Sequence, residues 1–240
     1  MQQMGEELCM KILKRVADNR TDDSLATRLR RRRFALFRHL ISSLDRPFGI
    51  LDVGGRPLFW EKMRFAEERG VKIVLLNIEE PEFAHPNFTC VVGDARDMRE
   101  FGDKEFDVVF SNSVIEHVGG YDEQRRMAEE VRRVGKRYFL QTPNRFFPME
   151  PHFLFPLFQF LPRSFRVFLV RHFDLGWFKR TPDEQEAAKI VDSIRLLTER
   201  EVRALFPEGT VYKEKVLGLT KSFVVYSGWG RWMSRDSTLS

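Results

Sequence analysis

The sequence has little cysteine and no long apolar run, and each absence excludes a class of protein. Two cysteines among 240 residues, Cys9 and Cys90, cannot build a disulfide framework or a cysteine-rich zinc site. They are typical of reduced thiols in a cytoplasmic protein. No run of 18 uncharged apolar residues occurs, so no membrane-spanning helix is expected. Residues 1–10 contain a glycine and two glutamates where a secretory signal would be apolar, so no signal peptide is expected.

A strong charge of one sign is also missing. Forty Lys and Arg stand against 35 Asp and Glu, which gives a net charge of +5, less than a dedicated nucleic-acid-binding protein usually concentrates. Hydrophobic residues at 42% and charged residues at 31% exclude a wholly disordered or collagen-like chain. The unusual feature is phenylalanine, because ten of the 23 lie between Phe146 and Phe178.

Residues 1–46 are predicted to form a helical extension, because apolar residues recur at helical spacing over 6–17 and 22–44. The second segment carries an arginine cluster: Arg28, Arg30, Arg31, Arg32, Arg33 and Arg38. One interpretation is a solvated helix face whose arginine stems pack on their neighbours. The other is a patch for phosphate, anionic lipid or nucleic acid.

From residue 47 the pattern becomes an alternation of strands and helices. The predicted strands cover 48–53, 71–77, 88–92, 106–111 and 136–141, and the predicted helices cover 57–70, 121–134, 182–193 and 198–206. A final strand pair covers 210–217 and 221–226. This alternation predicts an α/β fold with a parallel sheet, helices on both faces and a closing hairpin. Residues 47–230 are therefore assigned to the main domain and 231–240 to a polar tail.

Glycine or polar residues follow four consecutive predicted strands. A glycine turn after the first strand allows the backbone to approach a ligand closely. A polar residue after the second strand suits ribose hydroxyls, and Asp94 after the third is free to bond an adenine amino group. Because these ends share one sheet edge, we predict a binding crevice there, with these candidate residues: Asp52, Gly54, Gly55, Asn77, Ile78, Glu79, Asp94, Ala95, Asn112 and Ser113.

These segments resemble the class I S-adenosylmethionine-dependent methyltransferases, in particular the methyltransferase type 11 group, over about residues 48–142. The most specific match is Ser111-Asn112-Ser113-Val114-Ile115-Glu116-His117. The resemblance implies S-adenosyl-L-methionine as cofactor and a Rossmann-like, seven-stranded mixed sheet whose last strand is antiparallel. It also implies a role for each strand end: Asp52, Gly54 and Gly55 for methionine and sugar, Asn77 for ribose, Asp94 and Ala95 for adenine, and Asn112 and Ser113 for the cofactor wall.

The chain departs from the family pattern at two places. Arg56-Pro57 stands where the family usually has another glycine, which changes the shape of the turn. Asn77 replaces the usual ribose-binding carboxylate, and Glu79 is an alternative for that role. A nucleotide-type fold that no longer binds or reacts therefore stays open.

Three residues are candidates for catalysis. His117 follows the fourth strand, where it acts either as a general base or as a structural residue of the loop. Glu150 and His152 follow the fifth strand and suit either an orienting carboxylate–imidazole pair or a structural hydrogen bond. A convincing third metal ligand is missing from this set, so no metal is expected.

A phenylalanine-rich insert, residues 146–180, follows the fifth strand, where this family usually binds acceptors. The first interpretation is an apolar lid over an acceptor pocket, with a packed helical pair as the plain structural alternative. Interleaved arginines and aromatics also suit an interfacial segment on a membrane. Stacking on nucleobases is a further option, which the prolines and aliphatic residues disfavour.

The predicted function is methyl transfer to the oxygen or carbon of a small acceptor that is apolar or lipid-linked. RNA or protein methylation is the alternative that the arginine cluster motivates, although the Asn/Asp-Pro-Pro-aromatic signature of N-methyltransferases is absent. A non-catalytic, membrane-associated scaffold is the other alternative. A cytoplasmic location is expected, with peripheral membrane contact through 146–178 as an option, and the oligomeric state stays open.

Overall fold

The computed structural model describes residues 24–79 and 87–230. The helix predicted over 6–17, the tail 231–240, Cys9 and His85 lie outside these residues. The described chain begins with helix α1 (Leu25–Ile41), which starts where the Ser24 hydroxyl accepts a hydrogen bond of 3.0 Å from the Thr27 amide. A side-chain cap of this kind satisfies an amide that has no partner within the helix.

Strands and helices then alternate through the first half of the domain. The elements are β1 (Phe48–Val53), α2 (Pro57–Lys62), β2 (Val71–Asn77), β3 (Phe88–Val92), β4 (Val108–Asn112), a 3-10 turn (Ile115–His117), α3 (Tyr121–Val134) and β5 (Tyr138–Pro143). The second half contains β6 (Met149–Glu150), β7 (Phe155–Pro156), a 3-10 turn (Phe158–Phe160), α4 (Arg163–His172), α5 (Glu184–Asp192), α6 (Glu199–Leu205), β8 (Thr210–Val216) and β9 (Leu219–Ser227).

Seven of the strands form one sheet in the order β3-β2-β1-β4-β5-β9-β8. The first five strands are parallel, and β9 runs antiparallel to both of its neighbours. The seven-stranded mixed sheet with an antiparallel last strand is therefore confirmed. The strand order reverses between β1 and β4, and ligands of open α/β sheets bind at the carboxyl ends of the strands beside such a reversal.

Each face of the sheet buries one apolar cluster. Helices α3 and α6 cover one face, where Met127, Val131 and Val202 are fully buried. Helices α1 and α2 cover the other face, where Phe37 and Trp60 are fully buried. Because Phe37 contacts the rings of Phe110 and Phe139 on β4 and β5, α1 packs directly against the centre of the sheet.

The phenylalanine-rich insert has a third apolar cluster of its own. Phe153 and Phe158 are buried and stack with ring centroids 4.0 Å apart. Residues of α4 and α5 complete this cluster, so the packed unit continues beyond residue 180 to α5. In the described part of the chain, no helix has both the length and the apolarity needed to cross a membrane.

The helix predicted over 57–70 ends at Lys62, which corrects that prediction. Arg64 adopts a left-handed conformation (φ 53°), and the Phe65 amide donates a hydrogen bond of 2.9 Å to the carbonyl of Trp60. This turn brings Phe65 into the buried cluster beneath α1. The packing of one aromatic side chain thus ends the helix earlier than the local apolar spacing indicates.

Candidate active site

Hydrogen bonds hold the carboxyl ends of β1, β2 and β3 side by side. The Gly54 amide donates to the carbonyl of Leu76 over 2.8 Å, and the Gly93 amide donates to the carbonyl of Asn77 over 2.9 Å. The side-chain amide of Asn77 donates to the carbonyl of Gly55, also over 2.9 Å. The predicted turns therefore form one connected edge.

Two cavities open along this edge, and Gly54 lines both. The first, of about 310 Å³, lies between the β1 and β4 ends and helices α1 and α2, and we call it the α1-side cavity. The second, of about 230 Å³, lies beside the ends of β2 and β3, and we call it the β2-side cavity. Predicted residues in the α1-side cavity are Asp52, Gly54, Gly55 and Asn112, and those in the β2-side cavity are Gly54, Asn77, Ile78, Asp94 and Ala95.

Two predicted cofactor residues are not among the described residues that line these cavities. Glu79 lies exposed just after β2. Ser113 adopts a left-handed conformation (φ 58°), and its hydroxyl donates a hydrogen bond of 2.8 Å to Gln141 Oε1. Ser113 therefore supports the loop after β4 from beside the cavity wall.

Asp52 is a buried carboxyl group at the end of β1, with 1% of its surface exposed. Trp60 Nε1 donates a hydrogen bond of 2.7 Å to its Oδ2. Burial raises the pKa of Asp52 to about 7, although the hydrogen bond from Trp60 opposes the shift. A Cβ atom on Gly55 would lie 1.7 Å from the same Oδ2. The carboxyl group thus occupies the space that only glycine leaves free.

Asn77 differs chemically from the carboxylate that the family pattern leads one to expect. Its amide nitrogen donates to the carbonyl of Gly55. An aspartate there would place a carboxylate oxygen against that carbonyl, and neither group can donate a proton. The amide therefore fits the β1 turn of this chain and leaves Asn77 Oδ1 as an acceptor for a ligand hydroxyl.

Asp94 has a partner within the protein, which the sequence analysis did not anticipate. Arg96 Nε lies 2.9 Å from Asp94 Oδ1, and Arg96 Nη2 lies 2.6 Å from Oδ2. The hydrogen bonds from Arg96 lower the pKa of Asp94. The carboxylate is therefore charged and fixed in orientation at the wall of the β2-side cavity, and it is not a free group.

Helix α1 contributes two arginines that the sequence analysis did not place at the site. Arg33 is buried, and its Nε donates a hydrogen bond of 2.9 Å to Glu214 Oε1. Its Nη1 donates to Gln141 Oε1 over 2.7 Å and also to Asn112 Oδ1. Arg33 thus fixes the orientation of Asn112 in the wall of the α1-side cavity.

Arg30 lies one turn earlier and lines the α1-side cavity. Its guanidinium group lies over the ring of Phe59, 5.7 Å from the centroid. Burial, together with the neighbouring charge of Arg33, lowers the pKa of Arg30 to about 10, so the group is still charged at pH 7. The helical spacing of Arg30 and Arg33 with the apolar Phe34 and Phe37 was the available signal for this orientation.

The three predicted catalytic residues lie together beside the β2-side cavity. Glu150 is buried, and its Oε1 lies 2.8 Å from His152 Nδ1. Its Oε2 accepts hydrogen bonds from the amides of His152 and Phe153 over 2.8 and 2.7 Å. The rings of His117 and His152 lie edge to face with centroids 4.8 Å apart. The fold thus joins the loop after β4 to the loop after β5.

Glu116 belongs to the same cluster and was missed by the sequence analysis. It is fully buried, and its Oε2 accepts a hydrogen bond of 3.0 Å from the hydroxyl of Thr142 on β5. Its position next to His117 in the matched segment was visible, but its proximity to His152 depends on the fold. We call Glu116, His117, Glu150 and His152 the histidine cluster.

The electrostatics of the histidine cluster are coupled. Burial raises the pKa of Glu116. Burial and the neighbouring His152 lower the pKa of His117 to about 4, so the ring is neutral at pH 7 although part of the residue is exposed. Burial also opposes the charged form of His152, but the hydrogen bond to Glu150 outweighs it and raises the pKa of His152.

A third cavity, of about 280 Å³, lies on the insert side of the histidine cluster, and we call it the insert cavity. Glu150 lines it together with the stacked rings of Phe153 and Phe158. Arg145 and Arg166 also lie in its wall. The histidine cluster therefore lies between the cavities at the strand ends and a cavity that the insert lines.

Part of the chain matches a family model and two curated relatives. The family model described as a methyltransferase domain matches residues 59–138. Two uncharacterized Mycobacterium tuberculosis proteins, Rv1509 and MT1557, are each 45% identical over 56 residues, 23% of this chain. The match spans about a fifth (19%) of the length of each of these curated relatives.

Two solved structures share the fold at low sequence identity. The 1,6-didemethyltoxoflavin-N1-methyltransferase of Burkholderia thailandensis has a TM-score of 0.51 and 14% identity, with 82% of this chain and 76% of that chain covered. The N-terminal domain of EvdMO1 has a TM-score of 0.51 and 16% identity, with 82% of each chain covered. Residues 59–138 therefore resemble a methyltransferase domain, and the chain shares its fold with these two solved structures.

Proposed function

We propose that the protein transfers a methyl group from S-adenosyl-L-methionine to the oxygen or carbon of a small acceptor that is apolar or lipid-linked. The observation that carries this proposal is the edge formed by four neighbouring strands. Eight of the ten residues selected from the sequence for the cofactor line two cavities that share Gly54. A crevice at the carboxyl ends of parallel strands is the usual ligand site of this sheet type.

The two cavities suit different parts of the cofactor. The α1-side cavity offers Arg30 for a carboxylate and Asp52 for an ammonium group, which fits the methionine part. The β2-side cavity offers Asn77 for ribose hydroxyls and Asp94 for the adenine amino group. Gly54 lies between the two cavities, so the sulfonium would lie near it.

The cofactor supplies a methyl group that is already activated on a sulfonium. The residues of the chain align the acceptor with that methyl, and proximity and orientation together supply up to roughly 7–11 kcal/mol in ideal cases. With a hydroxyl acceptor, the new O–C bond forms as the S–C bond breaks, and the electron pair of that bond returns to sulfur. The hydroxyl proton passes to a ring nitrogen of His117 or His152, with Glu150 orienting His152; these residues lie between the cofactor cavities and the insert cavity.

The insert cavity bears on the acceptor. Phe153 and Phe158 give part of its wall an aromatic character beside the charged Arg145, Glu150 and Arg166, which supports an acceptor with both an apolar and a polar part and a role of residues 146–180 as a lid. The two structural relatives were solved with S-adenosylhomocysteine and, respectively, 1,6-didemethyltoxoflavin and D-fucose. Small acceptors on this fold support the choice of a small molecule over RNA or protein.

A peripheral contact with a membrane surface is a second proposal, favoured by one observation. Phe165 and Phe168 on α4 are each 46% exposed, and Phe173 just after the helix is 53% exposed. Arg163 and Arg171 lie on the same short helix. Exposed aromatics with neighbouring cations are typical of segments that lie in a lipid interface, where a lipid-linked acceptor would be found.

Transfer of a labelled methyl group from S-adenosyl-L-methionine to fractionated cell extract tests the proposal. We expect label in the organic-solvent fraction with the wild-type chain and much less with Arg30→Gln. Label confined to the RNA or protein fraction would show that the acceptor is RNA or protein and not a small molecule. Absence of label in every fraction, with cofactor binding retained, would favour a non-catalytic scaffold.

A further inference from the structure

We propose that Glu116, His117 and His152 form a binding site for one divalent transition-metal ion of the zinc or iron type. A carboxylate oxygen of Glu116 and one ring nitrogen of each histidine all lie within 4.8 Å of one another. Metal bonds to such ligands are about 2.0–2.2 Å long, so small side-chain rotations bring the three atoms around one ion. Two imidazoles and one carboxylate favour zinc or iron over magnesium or calcium, which prefer oxygen ligands.

Each histidine is already oriented by an outer partner. His152 Nδ1 lies 2.8 Å from Glu150 Oε1, which leaves Nε2 of His152 to bind a metal. Glu150 is itself fixed by the amides of His152 and Phe153. The backbone of Ser193 faces one nitrogen of the His117 ring and favours a proton there, which leaves the other nitrogen available. A ligating histidine usually has such a carboxylate or carbonyl partner on its second nitrogen.

Glu116 supplies the independent observation that points to a cation. Its side chain is fully buried, and Oε2 accepts the hydrogen bond from Thr142. Its Oε1 is buried and has no hydrogen-bond partner among the residues that the structure describes. A buried polar atom without a partner is destabilising, more so when it is charged, and a bound cation supplies the missing partner.

The position of the cluster indicates what the ion would do. Three protein ligands leave at least one coordination position open, as in catalytic zinc sites. His117 lines the β2-side cavity and Glu150 lines the insert cavity, so the site lies between them. The open position would take an oxygen atom of the acceptor, and with the ion bound the two histidines would hold the metal while the hydroxyl proton would pass to water. This use of the ion rests on the proposed function, whereas binding of the ion itself does not.

Titration of the chelator-treated full chain with Co²⁺ as a spectroscopic probe tests the site, followed by displacement with Zn²⁺. We expect saturable binding of one Co²⁺ per chain, with visible absorption of a site that contains nitrogen ligands. Glu116→Gln, His117→Gln and His152→Gln should each weaken binding more than Glu150→Gln, which removes an outer partner and is expected to cost about 10–100-fold. His39→Gln and His172→Gln are the matched controls and should bind as the wild type does.

Two results would overturn the metal site. One is the absence of saturable Co²⁺ binding in the wild-type chain. The other is binding that His117→Gln leaves unchanged, and this variant keeps the test decisive because His117 is exposed, so its replacement empties no packed position of the core. Calorimetry with S-adenosylhomocysteine on the same samples separates the two proposals. Cofactor binding without Co²⁺ binding overturns the metal site alone, and the reverse result overturns the proposed function alone.

Discussion

At the scale of single residues, Asp52 connects the fold to the proposed cofactor site most directly. Its carboxyl group lies at the end of β1, buried against Trp60 and Gly55. Because its pKa in the folded protein is about 7 and the ordinary value is near 4, ionisation costs folding free energy. Its contribution to stability is therefore full below about pH 4 and declines as the pH rises towards 7.

The affinity for S-adenosylhomocysteine should rise with pH through the titration of Asp52. The ammonium group of the ligand favours the ionised carboxylate, and Arg30 in the same cavity stays charged over this range. Between pH 5.5 and 7 the increase should approach tenfold per pH unit and then level off. Calorimetry across this range checks the prediction. Asp52→Asn should bind weakly and without this pH dependence, whereas a pH-independent wild type would contradict the role of Asp52.

The sequence predicts the location of a residue well where that location follows from its position relative to a strand. Gly54 and Asn77 each follow a strand, so their placement at the sheet edge could be read from the alternation alone. The partners of Asp94 and Glu116 could not, because Arg96 binds through a turn geometry and Thr142 meets Glu116 only across the sheet. The local sequence pattern predicts where a residue lies in the fold, but it does not predict which residues its side chain contacts.

At the scale of elements, α1 is attached to the sheet by a buried ion pair. Arg33 Nε and Glu214 Oε1 are 2.9 Å apart, with 8% and 4% of the two side chains exposed. Replacing Arg33 leaves the Glu214 carboxylate buried and unpaired. Loss of one partner of such a pair typically costs about 3–5 kcal/mol, much more than loss of an exposed pair.

Arg33→Met should therefore lower the free energy of unfolding by about 3–5 kcal/mol in urea denaturation. Arg163→Met is the matched control, because Arg163 pairs with Asp192 at the surface, and it should cost less than about 1 kcal/mol. The double variant Arg33→Met with Glu214→Leu should recover most of the loss. Equal effects of Arg33→Met and the control would show that the buried pair does not hold α1.

The elements also differ in how far local sequence determines them. Helix α3 covers the predicted residues 121–134, since its apolar stripe and the closing Gly135 agree with its packing. Helix α2 is shorter than predicted because Phe65 turns into the core. The insert likewise packs with α5, which lies beyond the boundary that its composition suggested.

Helix α4 provides the test of the membrane proposal. Flotation with vesicles that contain anionic lipid should recover the wild-type chain with the vesicles and recover little of Phe165→Ser with Phe168→Ser. Leu217→Ser is the control, because Leu217 is 98% exposed on the turn between β8 and β9 and should not alter flotation. Equal recovery of both variants would argue against contact through α4.

At the scale of the whole molecule, the sheet order and the crevice at its edge follow from the strand–helix alternation and the matched segment. The insert cavity does not, because it depends on packing between Phe153, Phe158 and the distant α5. The same holds for α1, whose arginines reach the edge only after the helix packs on β4 and β5. Long-range packing thus determines the insert cavity, which we propose for the acceptor, and local pattern determines the strand ends, which we propose for the cofactor.

Calorimetric titration of the full chain with S-adenosylhomocysteine tests the central claim most directly. We expect binding of one ligand per chain, and Arg30→Gln should bind roughly tenfold or more weakly, because a hydrogen bond to a charged group contributes about 1.5–3 kcal/mol. Arg32→Gln, on the exposed side of the same helix, should bind as the wild type does. No binding heat from the folded wild-type chain at millimolar ligand would contradict a cofactor site at this edge of the sheet.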